Sequence, residues 1–144
     1  MRHLGKFLRK PAADRRLLLS AAALHLFVAA GLRVLPFHWV RRVLNRLAAS
    51  GAAAAGPGAD ARIVHAVRTA AFLLPGEHCL TEALVAQCLL ARAGCESTLC
   101  FGLSPVRTDA RPFDAHAWIE QKGRIAIGAR AVAYQPLRRP RNLL

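Results

Sequence analysis

An α+β fold is predicted for this chain, with helices first and a small antiparallel sheet after them. Three observations carry that reading. Apolar residues recur at helical spacing from about residue 14 to Gly94, and Pro and Gly clusters punctuate that region. Beyond Gly94 the pattern changes to strict alternation, which is the period of a strand. The 144 residues suit one domain, and 54% hydrophobic with 20% charged residues is enough to bury a core and excludes a disordered chain.

The elements follow in order. Residues 1–13 are a basic start. Asp14 is a candidate cap for a helix running to about Leu35, where Pro36 intervenes. A second helix is predicted over Phe37–Ala49, with Val40, Val43, Leu44 and Leu47 on its apolar side and Arg41, Arg42 and Arg46 elsewhere. The run SGAAAAGPGA, residues 50–59, has the composition of a linker. It divides a basic, apolar helical part, 1–59, from a core part, 60–144. Asp60 is a candidate cap for a third helix, whose apolar face carries Ile63, Val64, Val67, Ala71 and Leu74. Pro75 and Gly76 stop it. A fourth helix starts at Cys79 and ends at Gly94, with Leu80, Leu84, Cys88 and Ala91 on its buried stripe.

The segment CESTLCFGL, from Cys95, is rich in strand formers at its centre. PFDAHAWIEQ alternates, with Phe113, Ala115, Ala117 and Ile119 on one side and Asp114, His116, Trp118 and Glu120 on the polar side. KGR, 122–124, reads as a hairpin turn and RIAIGA as the returning strand.

The net charge is +13 and it is uneven. Residues 1–50 hold ten Lys/Arg against one acid, and the remainder holds eleven against seven. A basic half favours acidic partners: a peptide, a nucleic acid or a membrane surface. No finger spacing or aromatic-and-basic motif supports nucleic acid, so that partner is not expected. Cys79, Cys88, Cys95 and Cys100 include no CxxC pair, which argues against a zinc or redox motif and fits free thiols in a reducing, cytoplasmic compartment. Neither a metal nor a cofactor is expected. Leu17–Leu32 is uncharged and passes for the apolar region of an export signal. It is short of the roughly 20 residues a membrane span needs, and a buried helix with peripheral membrane contact at most is the preferred reading.

A thiol reacts as its thiolate, which a helix N-terminus or an imidazolium favours. Cys79 stands at a predicted helix start, one position from the buried stripe, and Glu82 resembles the acid of a capping box. Among six histidines, His116 is the best candidate base, because it lies mid-strand on the polar side. His78 adjoins Cys79, but neighbouring side chains diverge at a helix start. Cys88, Cys95 and Cys100 read as structural. Spacing alone leaves the Cys79–His116 pair weak.

HCLTEALVAQCLLARAG, followed some twenty residues later by FDAHAWIE and then YQPL, resembles the leader peptidase of lasso-peptide biosynthesis. That family is a small branch of the transglutaminase-like, papain-related cysteine proteases. LRVLPFHWVRRVL resembles its N-terminal region, so the likeness spans roughly residues 15–137. With no leader-recognition domain at its start, the chain resembles the split form. The resemblance implies a helix led by the cysteine, packed on a small antiparallel sheet. It implies that Cys79 attacks the carbonyl between leader and core of a ribosomally made precursor. His116 would be its base, the Cys79 backbone N–H would help hold the oxyanion, and Trp118 would wall the site. The implied partners are the lasso precursor, a separate leader-recognition protein and an ATP-dependent macrolactam cyclase.

One position departs from the family. An aspartate usually follows the histidine by about a dozen residues, and here Gly128 stands there. Glu120 is about 13 Å along the strand from His116, too far to touch it, and Asp114 is about 6.6 Å away on the same face. Asp114 is therefore a doubtful third member, with a backbone carbonyl or Gln135 as the alternative support for the ring. Beside the protease stand two other readings. One is a catalytically weak or inactive relative that scaffolds precursor, recognition protein and cyclase. The other is acyl transfer to an amine, which shares the same thioester.

Overall fold

A computed structural model describes residues 11–51, 56–74, 79–103, 115–129 and 135–137. Four helices precede a sheet: α1 (Ala12–Val34), α2 (Phe37–Ala49), α3 (Ala59–Leu73) and α4 (Cys79–Arg92). The strands are β1 (Thr98–Leu103), β2 (Ala115–Gln121), β3 (Arg124–Ile127) and the two-residue β4 (Gln135–Pro136), antiparallel in the order β3-β2-β1-β4. The α+β class and the segregation of helices from sheet are as the sequence predicts.

Local chemistry explains where the elements start and stop. Leu35 is extended, as a residue before proline must be, and its N–H still reaches the Gly31 carbonyl at 2.7 Å. Pro36 then opens α2. The C-terminus of α4 closes on Gly94 at φ +71, with Cys95 N–H on Leu90 O at 2.8 Å and Gly94 N–H on Ala91 O at 3.0 Å. That pair of bonds is a Schellman ending. Lys122 and Gly123, at φ +49 and +74, make the two-residue turn that joins β2 to β3.

Two predicted caps are corrected. Pro11, not Asp14, precedes α1. Asp14 lies in the first turn, and its Oδ1 takes Arg62 of α3 at 2.6 and 2.8 Å from two guanidinium nitrogens. Gly58, at φ +75, precedes α3, and Asp60 also lies in the first turn. The Ala61 N–H, 2.8 Å from Asp60 Oδ1, and then Lys122 hold that carboxyl below its usual range. A carboxylate in a first turn still suits the positive end of the helix.

The buried surfaces differ from the predicted stripes. On α3 the buried residues are Ile63, Ala66, Val67 and Ala70, so the stripe lies one step round from Val64 and Ala71. On α4 Ala91 is exposed, and burial runs almost all the way round the helix: Thr81, Ala83, Leu84, Val85, Ala86, Cys88, Leu89 and Leu90. The reason is position. α4 packs against α1, α2 and α3 and against β1, β2 and β3. Strand β2 is likewise buried on both faces. Ala117 and Ile119 join the core, while His116 and Trp118, expected on a polar side, are each only 5% exposed.

Leu84 is 2% exposed in the middle of α4, with no room for neighbours to relax. Leu84→Ala should lower unfolding stability by about 2–5 kcal/mol. Leu19→Ala, on the outer face of α1, should change it by less than about 0.5 kcal/mol. Urea midpoints of both variants check this.

Candidate active site

Cys79 is the first residue of α4, half-buried, with a free thiol. The first amides of a helix have no intrahelical acceptor, and their dipoles favour negative charge there. The Cys79 thiol and its backbone N–H therefore share the positive end of a helix whose body is locked in the core. His78 lies outside the described residues, and so do Pro75 and Gly76.

The other cysteines separate from it. Cys88 is buried, its thiol donates to Leu44 O at 3.5 Å, and burial pushes that thiol up, against a smaller opposing effect of Arg92. It is a core residue, as expected. Cys95 belongs to the Schellman turn rather than to a strand, and Cys100 lies in β1. Among the described residues no group of three or more His, Cys, Asp or Glu is placed to hold a metal ion.

His116 is the second residue of β2, and its Nε2 lies 2.6 Å from the carbonyl oxygen of Gly128. A carbonyl only accepts, so Nε2 carries the hydrogen and donates it. In the neutral ring Nδ1 is then the nitrogen with a basic lone pair. Trp118 stacks alongside, with ring centroids 6.1 Å apart and planes at 19°, and its Nε1–H donates to Glu120 Oε1 at 2.8 Å. His116, Trp118 and Glu120 thus form one ordered row on a face of β2. Nothing in the residue pattern foretells the Trp118–Glu120 bond.

Gly128, which stands where the resemblance to the leader peptidases implies an aspartate, holds the acceptor. Its φ is +85. A Cβ there would lie 2.9 Å from Trp118 Cβ, 3.0 Å from Ala117 O and 3.1 Å from Trp118 Cα. The close approach comes after an irregularity in the β2–β3 ladder: Ile119 pairs with Ile127 but Glu120 with Ile125, one residue extra on β3. The backbone carbonyl foreseen as an alternative support for the ring is that of Gly128 itself. Asp114 lies outside the described residues, and so does the side chain of Gln135.

Cys79 opens α4, which packs against β2, the strand that carries His116. α4 is 14 residues long, about 21 Å. β1 has six, about 20 Å. The chain turns between them at Gly94, and β1 packs against α4. In the sheet register Gly102 stands opposite His116. By strand alternation its ring leaves β2 on the face opposite Ala117 and Ile119.

Two outcomes are expected. Iodoacetamide on the native protein should label Cys79 and leave Cys88 unmodified until denaturant is added, as peptide mass mapping would show. Gly128→Ala should cost about 1–3 kcal/mol, because it combines a left-handed backbone with contacts that must give way. Urea unfolding measures that loss.

The chain was compared with known proteins. The family model described as the transglutaminase-like superfamily matches residues 22–139, a span that includes Cys79, His116 and Gly128. No curated protein and no solved structure matches the chain. With most of its length matched by that model, the chain belongs to the transglutaminase-like superfamily.

Proposed function

We propose that this protein is a cysteine peptidase that removes the leader from a ribosomally made lasso-peptide precursor. The single observation that carries the reading is the 2.6 Å bond from His116 Nε2 to Gly128 O. It orients a histidine and sets its tautomer, leaving Nδ1 as the basic nitrogen. Membership of a superfamily related to cysteine proteases supports it, and so do the two sequence blocks around Cys79 and His116.

The chemistry follows from these groups. His116 Nδ1 takes the Cys79 thiol proton, and Sγ adds to the carbonyl at the leader–core junction. The Cys79 backbone N–H stabilises the oxyanion at the helix start. Collapse breaks the C–N bond, and the imidazolium returns its proton to the departing core amine. The leader is left as a thioester on Cys79. Water, deprotonated by the same nitrogen, hydrolyses it and restores the thiol. The freed core N-terminus is the nucleophile that an ATP-dependent macrolactam cyclase would consume. A separate recognition protein would present the leader. Four free thiols fit a reducing, cytoplasmic setting. Trp118, stacked on the imidazole, would hold the ring in plane and exclude water from it.

The test is cleavage of a lasso precursor, with its recognition protein present, followed by mass spectrometry. Wild type should release the intact core peptide. Cys79→Ala should abolish release while the protein still binds precursor, and His116→Ala should slow it by about 10²–10⁴-fold. Intact precursor with wild type, despite demonstrated binding, would overturn the peptidase reading.

A further inference from the structure

Helix α1 is apolar on both sides. Leu18, Ala21, His25, Val28 and Gly31 face the core. The outer side between Arg16 and Arg33 carries no charge at all. Leu19 and Leu26 are 59% exposed there and Phe27 45%. A helix whose second side faces water would ordinarily be polar on that side. The same 23-residue helix is apolar enough to cross a membrane by length and composition, yet its inner face is packed on α3 and α4.

Beside that outer side runs an open groove of about 1030 Å³. Phe27, Leu47, Ile63 and Leu89, one from each of the four helices, give it apolar walls. Arg16, Arg62 and Arg92 stand around it, and among the described residues no acidic side chain lines it. The Arg92 side chain lies so close against Gly51 that a Cβ on that glycine would collide with it. Arg62 is ion-paired with Asp14.

We propose that this four-helix groove docks an amphipathic helical segment of another protein, with apolar residues on one side and Asp or Glu beside them. The walls supply the apolar contact of a helix-in-groove interface, and the three arginines supply charge complementarity. The charge disfavours other occupants. The chain's own first ten residues carry Arg2, Lys6, Arg9 and Lys10 and no acid. A second copy brings a net +13 of its own. A bilayer surface is flat, whereas the groove is recessed between helices. The proposal is independent of the peptidase chemistry, and Cys79→Ala protein is used throughout so that binding is read without cleavage.

The probe is a fluorescein-labelled synthetic helix of about 14 residues, four turns, with Leu at i, i+3, i+4 and i+7 spacing and Glu on its flanks. Anisotropy should show it binding at least about tenfold more tightly than a peptide of the same composition with the pattern scrambled. Ala23→Trp, from an exposed position lining the groove, should weaken it by about tenfold or more. Arg16→Glu with Arg92→Glu, both at exposed positions, should weaken it by about threefold or more at low salt and report even if the tryptophan variant misfolds. Equal binding of patterned and scrambled peptides, or of wild type and the groove variants, would reduce the effect to the overall charge and overturn the proposal. Displacement of the peptide by phosphatidylglycerol vesicles, with the protein sedimenting on them, would assign the face to a bilayer and overturn it as well.

Discussion

The burial of α4 is the constraint on which the rest depends. Alanines at 83 and 86, both fully buried, let neighbouring elements approach the helix closely, while Leu84, Leu89 and Leu90 fill the spaces between them. Three helices cover it on one side and three strands on the other. A helix held in this way cannot tilt without opening the core on several sides at once. Cys79 gains from that. Its position is set by the packing of the helix behind it rather than by a loop, which is how a reactive side chain is held to a narrow geometry.

At the sheet end the same economy is reached through the backbone. His116 is steadied by a carbonyl and by a stacked indole, and the indole is itself steadied by Glu120. A main-chain acceptor has no rotamer to lose, so orienting the imidazole costs no side-chain entropy on the acceptor's part. It also carries no net charge. The support it offers is directional more than electrostatic, and that distinguishes this site from one with a carboxylate behind the histidine.

Much of this was legible in the residues, for physical reasons that differ from place to place. Pro36 and the arginine-flanked apolar stripe delimited α2, and the Lys122-Gly123 turn and the Gly94 terminus were set by backbone conformations that few residues adopt. The caps were not legible. Asp14 is drawn to Arg62, 48 residues away in the sequence, and no local pattern encodes such a partner. The stripe of α4 misled because a helix buried on nearly every side has no period to read. The polar side of β2 misled because alternation says which residues share a face, not whether that face is covered. For the site, Cys79 and His116 stood out as residue types in context. The Gly128 acceptor could only be bracketed as some backbone carbonyl, because a main-chain group leaves no letter of its own.

Gly128 has a consequence for how this sequence can change. Two of the four glycine codons lie a single base from an aspartate codon, so a carboxylate at this position is genetically close. Structurally it is not. A side chain at position 128 meets Trp118 and Ala117 O, and the left-handed backbone that aims the carbonyl at His116 is the one a side chain resists. Placing an acid there would require the peptide to rotate, and rotation would turn the carbonyl away from His116. The glycine is held at this position by conformation rather than by the distance between codons.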